Sequence, residues 1–233
     1  MNDATYELQR GKVEAYFDRT AADTWARLTS DAPVSGIRAT VRAGRERMRA
    51  EFLSRLPADM RDQRVLDAGC GTGAMAVEMA SRGAEVIGVD LAESLIDVAN
   101  ERLPREGLAG TISLRAGDML DPSFGTFDYV VSMDCLIHYA MDDAVDAVAM
   151  LAERTRRSIL FTFAPRTPLL AIMHTAGRLF PRGDRSPAIT PVREDRLRSR
   201  LKGVAALQAW NAGESVRVAS GFYTSELMVL TRR

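Results

Sequence analysis

The run Val65-Leu66-Asp67-Ala68-Gly69-Cys70-Gly71-Thr72-Gly73 constrains this chain more than any other feature. Apolar residues leading into alternating glycines predict a strand, a tight loop, and a helix opening near Gly73. Twenty-one residues after Gly69, a second apolar run, Val86-Ile87-Gly88-Val89, ends in Asp90. Glycine lets the backbone pass close beneath a ligand, and a helix N-terminus offers N–H groups to anionic or polar atoms. An acid at the tip of the following strand is placed to take both hydroxyls of a ribose. The pairing predicts a ribose-bearing ligand.

Two kinds of protein use this geometry. Gly69, Gly71 and Ala74 satisfy the G-x-G-x-x-G/A pattern of dinucleotide-binding proteins. Asp67, Gly69, Gly71 and Gly73 instead resemble the D-x-G-x-G-x-G motif of class I methyltransferases that use S-adenosylmethionine. Three details favour the second. Asp67 sits where a carboxylate can meet the methionine ammonium group, whereas a pyrophosphate there would be repelled. Gly117-Asp118-Met119 follows a short apolar strand and resembles the acidic turn that reads an adenine amino group. Two late strand-like runs, near Val204–Gln208 and Gly221–Leu230, suit an antiparallel hairpin closing the sheet. The expected cofactor contacts are Asp67, Gly69, Gly71, Gly73, Asp90, Leu91, Asp118, Met119 and Met133. A nicotinamide-dependent dehydrogenase is the alternative.

Strands are expected at Arg64–Ala68, Glu85–Val89, Thr111–Arg115, Phe127–Ser132 and Ser158–Phe163, alternating with helices at Gly73–Arg82, Ser94–Leu103 and Asp142–Arg156. That order predicts an α/β, Rossmann-like fold: a mostly parallel, seven-stranded sheet with a terminal antiparallel hairpin. Ligands on such a sheet collect beyond the carboxyl ends of the strands, where Asp67, Asp90, Asp118 and the stretch from Met133 to His138 should converge. Residues 1–63 read as a helical arm or lid, with helices at Gly11–Arg27 and Val34–Leu56. In the second helix Ile37, Val41 and Met48 should face inward, and Arg38, Arg42, Arg45 and Arg49 share a face. That face is either simply solvated or a cationic rim for substrate carboxylates. Residues 64–233 form the cofactor-binding domain, with a substrate cover inserted at about 165–191, including an apolar helix at Leu169–Phe180. A helix at about Val192–Leu201 leads to the hairpin.

The 233 residues suffice for one good core. No apolar stretch reaches the roughly 18–20 residues of a membrane span, and the polar N-terminus is no signal peptide. Two cysteines point to a reducing, cytoplasmic setting. Formal net charge is zero but segregated: residues 65–153 carry 4 basic and 16 acidic side chains, and residues 154–233 carry 15 basic and 5 acidic. The basic flanks could steer an anionic substrate or membrane surface. The acidic cofactor half, and the lack of a base-handling Asn-Pro-Pro-Tyr-type motif, argue against nucleic acid as a partner.

Beyond the glycine loop, Tyr16-Phe17-Asp18-Arg19-Thr20-Ala21-Ala22-Asp23-Thr24-Trp25, Ile37-Arg38-Ala39-Thr40-Val41-Arg42-Ala43-Gly44-Arg45 and Cys135-Leu136-Ile137-His138-Tyr139 are not generic. Together they resemble the magnesium-protoporphyrin IX O-methyltransferase family of bacteriochlorophyll biosynthesis, over nearly the whole chain. The resemblance implies methyl transfer from S-adenosylmethionine to one propionate of magnesium protoporphyrin IX, giving the monomethyl ester and S-adenosylhomocysteine (SAH). Magnesium then enters only as part of the substrate. It also implies a flexible N-terminal arm, Tyr16 and His138 near the chemistry, contact with the magnesium chelatase large subunit, and loose attachment to the photosynthetic membrane. Methylation of another planar acid or a quinone precursor, or a binding module without turnover, stays open.

A propionic acid has a pKa near that of glutamate, about 4.3, so near pH 7 it is already the nucleophile and needs no general base. His138 is therefore read as holding the propionate or ligating magnesium axially. Tyr16 would orient the same carboxylate or close the pocket. Phe17 and Trp25 are read as packing or macrocycle-stacking groups, and His174 as structural.

Overall fold

The computed structural model describes residues 3–18, 36–166 and 189–233. Two helices, α1 (Asp3–Tyr16) and α2 (Gly36–Ser54), precede the alternating unit β1 (Arg64–Ala68), α3 (Ala74–Ser81), β2 (Glu85–Asp90), α4 (Glu93–Arg102), β3 (Thr111–Ala116) and β4 (Phe127–Ser132). Then come α5 (Met141–Glu153), β5 (Thr155–Phe163), α6 (Glu194–Lys202), β6 (Trp210–Ala212), β7 (Val216–Ser220) and β8 (Tyr223–Arg232). The sheet runs β3-β2-β1-β4-β5-β8, with β6 and β7 both pairing with β8. β1 to β5 are parallel and β8 is antiparallel to β5. Seven positions across the sheet are thus filled by eight strands, because the outermost is interrupted between Ala212 and Val216.

The order reverses between β1 and β4. Successive crossovers leave in opposite directions there and open a crevice at the carboxyl ends of those two strands. Both strands are buried on both faces, and their alternate residues feed two cores. Leu66, Ala68, Val130, Ile159 and Phe161 join α5 and α6 on one side. Val65, Tyr129, Val131 and Leu160 join Met48 and Phe52 of α2 and Met75 and Met79 of α3 on the other. On α5 the predicted stripe of Val145, Val148, Ala149 and Ala152 is buried throughout.

Several expectations need correction. The Val204–Gln208 run is a short 3-10 turn at Ala205–Leu207, which tucks Leu207 into the core; the edge strands lie later. β5 begins at Thr155, directly after α5. The first helix starts at Asp3 rather than Gly11, and Met48 and Phe52 of α2 are fully buried in the second core. Ile37 is 56% exposed, one end of α2 having left the sheet behind. Of the expected cover, Pro165 bridges Val192 and the Arg166 N–H bonds to the Val192 carbonyl at 3.0 Å. The Leu169–Phe180 helix, His174 and Trp25 lie outside the described residues. No described helix is long and apolar enough to cross a membrane.

Candidate active site

The glycine loop follows β1 as predicted. The N–H groups of Gly69 and Cys70 bond to the Val89 carbonyl at 2.8 and 3.0 Å, tying the loop to β2. Gly69 has φ +79°, and a Cβ there would lie 2.5 Å from the Cys135 Cβ, so the turn after β4 can press against the loop only if this residue is glycine. Gly73 caps α3 in the left-handed conformation and stands outside the crevice wall. Asp90 accepts the Gly71 N–H at 2.8 Å and the Ala92 N–H at 3.1 Å. The Leu91 backbone also bonds to this carboxylate, which has about four acceptor positions, so at least one remains for a hydroxyl.

Asp67 is buried in β1 and, like Gly73, is not among the residues lining the crevice. Its Oδ2 has no hydrogen-bond partner, while the Ala76 N–H bonds to the carboxylate. Burial, then the nearby Asp90 charge, push its pKa up to about 7 against that bond. A buried carboxylate with an idle oxygen suits a cationic ligand group.

The crevice opens to solvent at the carboxyl ends of the central strands. Gly69, Gly71, Asp90 and Leu91 line one side, and Asp118, Met119, Met133 and His138 the others. α1 lies across it. The Tyr6 hydroxyl donates to Asp118 Oδ1 at 3.2 Å, and Arg10 Nη1 donates to Oδ2 at 2.8 Å. The Leu120 N–H also bonds to Oδ1, at 2.8 Å. The carboxylate expected to read an adenine amino group therefore also latches α1. Tyr6 stacks on Tyr139 with centroids 5.2 Å apart, and burial holds both phenols neutral by pushing their pKa values up.

His138 closes the short turn Leu136–His138 and is buried in the crevice wall. Its carbonyl accepts Gln9 Nε2 at 2.8 Å, and Phe17 meets its ring edge-on at 5.9 Å. Tyr16 is not in the wall; it packs edge-on against Phe17 at 5.2 Å, and it is Phe17 that lines the crevice. The Thr190 N–H bonds to the Ile137 carbonyl at 2.8 Å, so the segment returning to α6 braces the histidine's turn.

One part of the site, the set of contacts made by Asp134, joins residues that no single stretch of sequence contains. Asp134, immediately after Met133, has φ +57°, a strained value outside glycine. Its carboxylate accepts Arg45 Nη1 at 2.7 Å, the Tyr223 hydroxyl at 3.1 Å and Ser225 Oγ at 3.0 Å. Its own N–H bonds to Thr162 Oγ1 at 2.7 Å. Arg45 belongs to the predicted arginine face and is the single cationic side chain among the described lining residues, facing Glu14, Asp90, Asp118 and Asp134. Gly44 inside α2 was the available hint, since a helix tolerates glycine at a cost of about 1 kcal/mol only for a reason such as close approach.

The profile of the family described as "Magnesium-protoporphyrin IX methyltransferase C-terminus" matches residues 132–232, and that of "Methyltransferase domain" matches 65–157. The magnesium-protoporphyrin O-methyltransferase of Rhodobacter capsulatus is 49% identical over 228 residues, covering 96% of both chains. The chain belongs to the magnesium-protoporphyrin O-methyltransferase family. The Synechocystis member is 26% identical across 94% of this chain and 95% of its own. The crystal structure of magnesium protoporphyrin IX methyltransferase from Synechocystis with bound SAH superposes with a TM-score of 0.79 at 25% identity, covering 96% of this chain and all of that one. The fold is therefore that of a class I methyltransferase rather than a dehydrogenase, as the acid two residues before the first glycine indicated.

This family member's residues fit the methyl donor. The idle oxygen of Asp67 fits an ammonium group, Asp90 keeps an acceptor for a ribose, and Arg45 offers a cation for a carboxylate. Among the described residues no group of three or more His, Cys, Asp or Glu could hold a metal ion.

Proposed function

We propose that the chain transfers a methyl group from S-adenosylmethionine to a propionate carboxylate of magnesium protoporphyrin IX, giving the monomethyl ester and SAH. The observation that carries this reading is one continuous crevice. An acidic end built from Asp90 and Asp118, with Asp67 beneath it, suits a cationic nucleoside, and the same crevice continues to His138 and Phe17 under α1. S-adenosylmethionine, when bound, supplies a methyl carbon made electrophilic by its sulfonium.

The residues then have limited but definite tasks. The carboxylate is already ionised near pH 7, so no side chain needs to remove a proton. His138 holds the incoming propionate or meets the substrate's magnesium through a neutral imidazole. Phe17, backed by Tyr16, fixes the histidine ring and offers an apolar face to a macrocycle. α1 covers part of the crevice, and the water it displaces favours a reaction that destroys charge, because the separated ions are better hydrated than the transition state. Alignment of this kind supplies up to roughly 7–11 kcal/mol. The basic flank of residues 154–233 suits contact with an anionic membrane surface, and a magnesium chelatase large subunit is the protein partner of this reading.

The test is a product assay with purified protein, S-adenosylmethionine, and either magnesium or metal-free protoporphyrin IX, the esters being separated by chromatography. Monomethyl ester from the magnesium form is expected. SAH binding without turnover of either porphyrin would defeat the substrate assignment. His138→Ala should lower turnover by about 10-fold or more, typical of losing one positioned group, while SAH affinity holds.

A further inference from the structure

The Asp134 cluster joins four parts of the molecule far apart in sequence: α2, the end of β4, the end of β5 and the start of β8. Its members are Arg45, Thr162, Tyr223 and Ser225. Such convergence on one carboxylate, in a strained backbone conformation, exceeds what holding the sheet together requires. The side chains of Thr162 and Ser225 are buried, and the Asp134 side chain is 6% exposed. Tyr223 lies flat against α2, where a Cβ on Gly44 would be 2.4 Å from its ring. Arg45 and Asp134 are the members of the cluster that line the crevice, and Arg45 brings the positive charge.

We propose that Asp134 and Tyr223 are positioning residues that aim the Arg45 guanidinium at the carboxylate of the methyl donor's amino-acid tail. The inference rests on the proposed use of S-adenosylmethionine. A guanidinium carries five N–H donors in a rigid fork, so it can hold Asp134 and a ligand carboxylate together. Left to itself on a long side chain, it would sample many rotamers; a bond at 2.7 Å to an immobile carboxylate removes that freedom before the ligand arrives. Tyr223 fixes the carboxylate in turn, with its hydroxyl 3.2 and 3.1 Å from the two oxygens. Burial and the Asp134 charge push the phenol's pKa up, so it stays a donor. The reacting propionate is the poorer occupant for Arg45, because a cation against it would stabilise the ground state more than a transition state in which that charge is being consumed.

The experiment compares SAH with adenosine, which lacks the amino-acid tail, by calorimetry on the full chain. Tyr223→Phe is expected to weaken SAH by about 3- to 10-fold, and Asp134→Asn, which tolerates the left-handed backbone, by about 10- to 100-fold. Adenosine affinity should stay unchanged in both. In an Arg45→Ala background, Tyr223→Phe should have no further effect on SAH. Equal losses for SAH and adenosine would mean a merely structural role and overturn the proposal, as would an unchanged SAH affinity in Tyr223→Phe. Should Asp134→Asn fail to fold, Tyr223→Phe alone decides. Wild-type protein that binds neither ligand overturns the cofactor reading and this inference with it, whereas normal wild-type SAH binding isolates any failure to the cluster.

Discussion

Replacing Asp67 with Asn tests the electrostatics beneath the glycine loop. The native carboxyl titrates near pH 7, raised by burial first and by Asp90 second. In the unfolded chain it would titrate near about 3.9. Between those values the native state holds a proton that the unfolded state has released, so stability falls as pH rises through this window. The full difference is about 4 kcal/mol, reached once pH passes about 7, with a slope of at most about 1.4 kcal/mol per pH unit. Asn keeps an acceptor for the Ala76 N–H and removes the titration. Urea unfolding of the ligand-free proteins from pH 5 to 8 should show Asn gaining on wild type by about 1.4 kcal/mol per unit up to pH 7 and levelling above it. Subtracting the two curves cancels the titrating groups that do not interact with Asp67. SAH should show the converse in wild type: a cationic ammonium favours the ionised carboxyl, so affinity climbs toward pH 7 with release of a proton, and Asn binds more weakly without that dependence. A flat stability difference between Asn and wild type from pH 5 to 8 would refute the reasoning.

Asp90→Ala removes the acceptor for the Gly71 and Ala92 N–H groups as well as the expected ribose contact. SAH affinity by calorimetry should fall by about 10- to 100-fold, with Asp90→Asn intermediate because one acceptor survives. Gly44→Ala adds a Cβ 2.4 Å from the Tyr223 ring. Overpacking of about 1–3 kcal/mol should outweigh the roughly 1 kcal/mol that alanine contributes to a helix, lowering the urea midpoint. A raised midpoint would mean that the ring is free to move away.

The sequence was most readable where structure is local. β1 and β4 are continuous apolar runs because both their faces are covered, and Gly69 and Asp90 hold their places because the turn they make spans only neighbouring elements. Of the terminal hairpin, the Gly221–Leu230 run matches β8, and only its partner differs, because the outer strands lie at the sheet edge. There Trp210–Ala212 and Val216–Ser220 mix buried with exposed residues, while the more apolar Val204–Gln208 serves as a turn. α1 escaped its proper start because its inward contacts rest on few residues, chiefly Tyr6 and Val13. The Asp134 cluster was invisible for a different reason. Asp134 is separated from Arg45 and Tyr223 by 89 residues each way, so no window of sequence contains the interaction.

The charge pattern ties these levels together. Residues 65–153 are strongly acidic, and the fold gathers Asp90, Asp118 and Asp134 at one crevice with Asp67 below. Without a ligand those charges repel: burial raises Asp90 as well as Asp67, and each site partly neutralises itself or recruits a donor. Arg10 answers Asp118 and Arg45 answers Asp134, both from helices that precede the sheet. The N-terminal helices are thus held over the crevice by the carboxylates that on the proposed reading serve the methyl donor. A cationic nucleoside entering here relieves the remaining repulsion at Asp67 and Asp90. It also lowers the barrier to a second, anionic substrate that the bare acidic wall would turn away. Cofactor first and porphyrin second is the order this electrostatic arrangement favours.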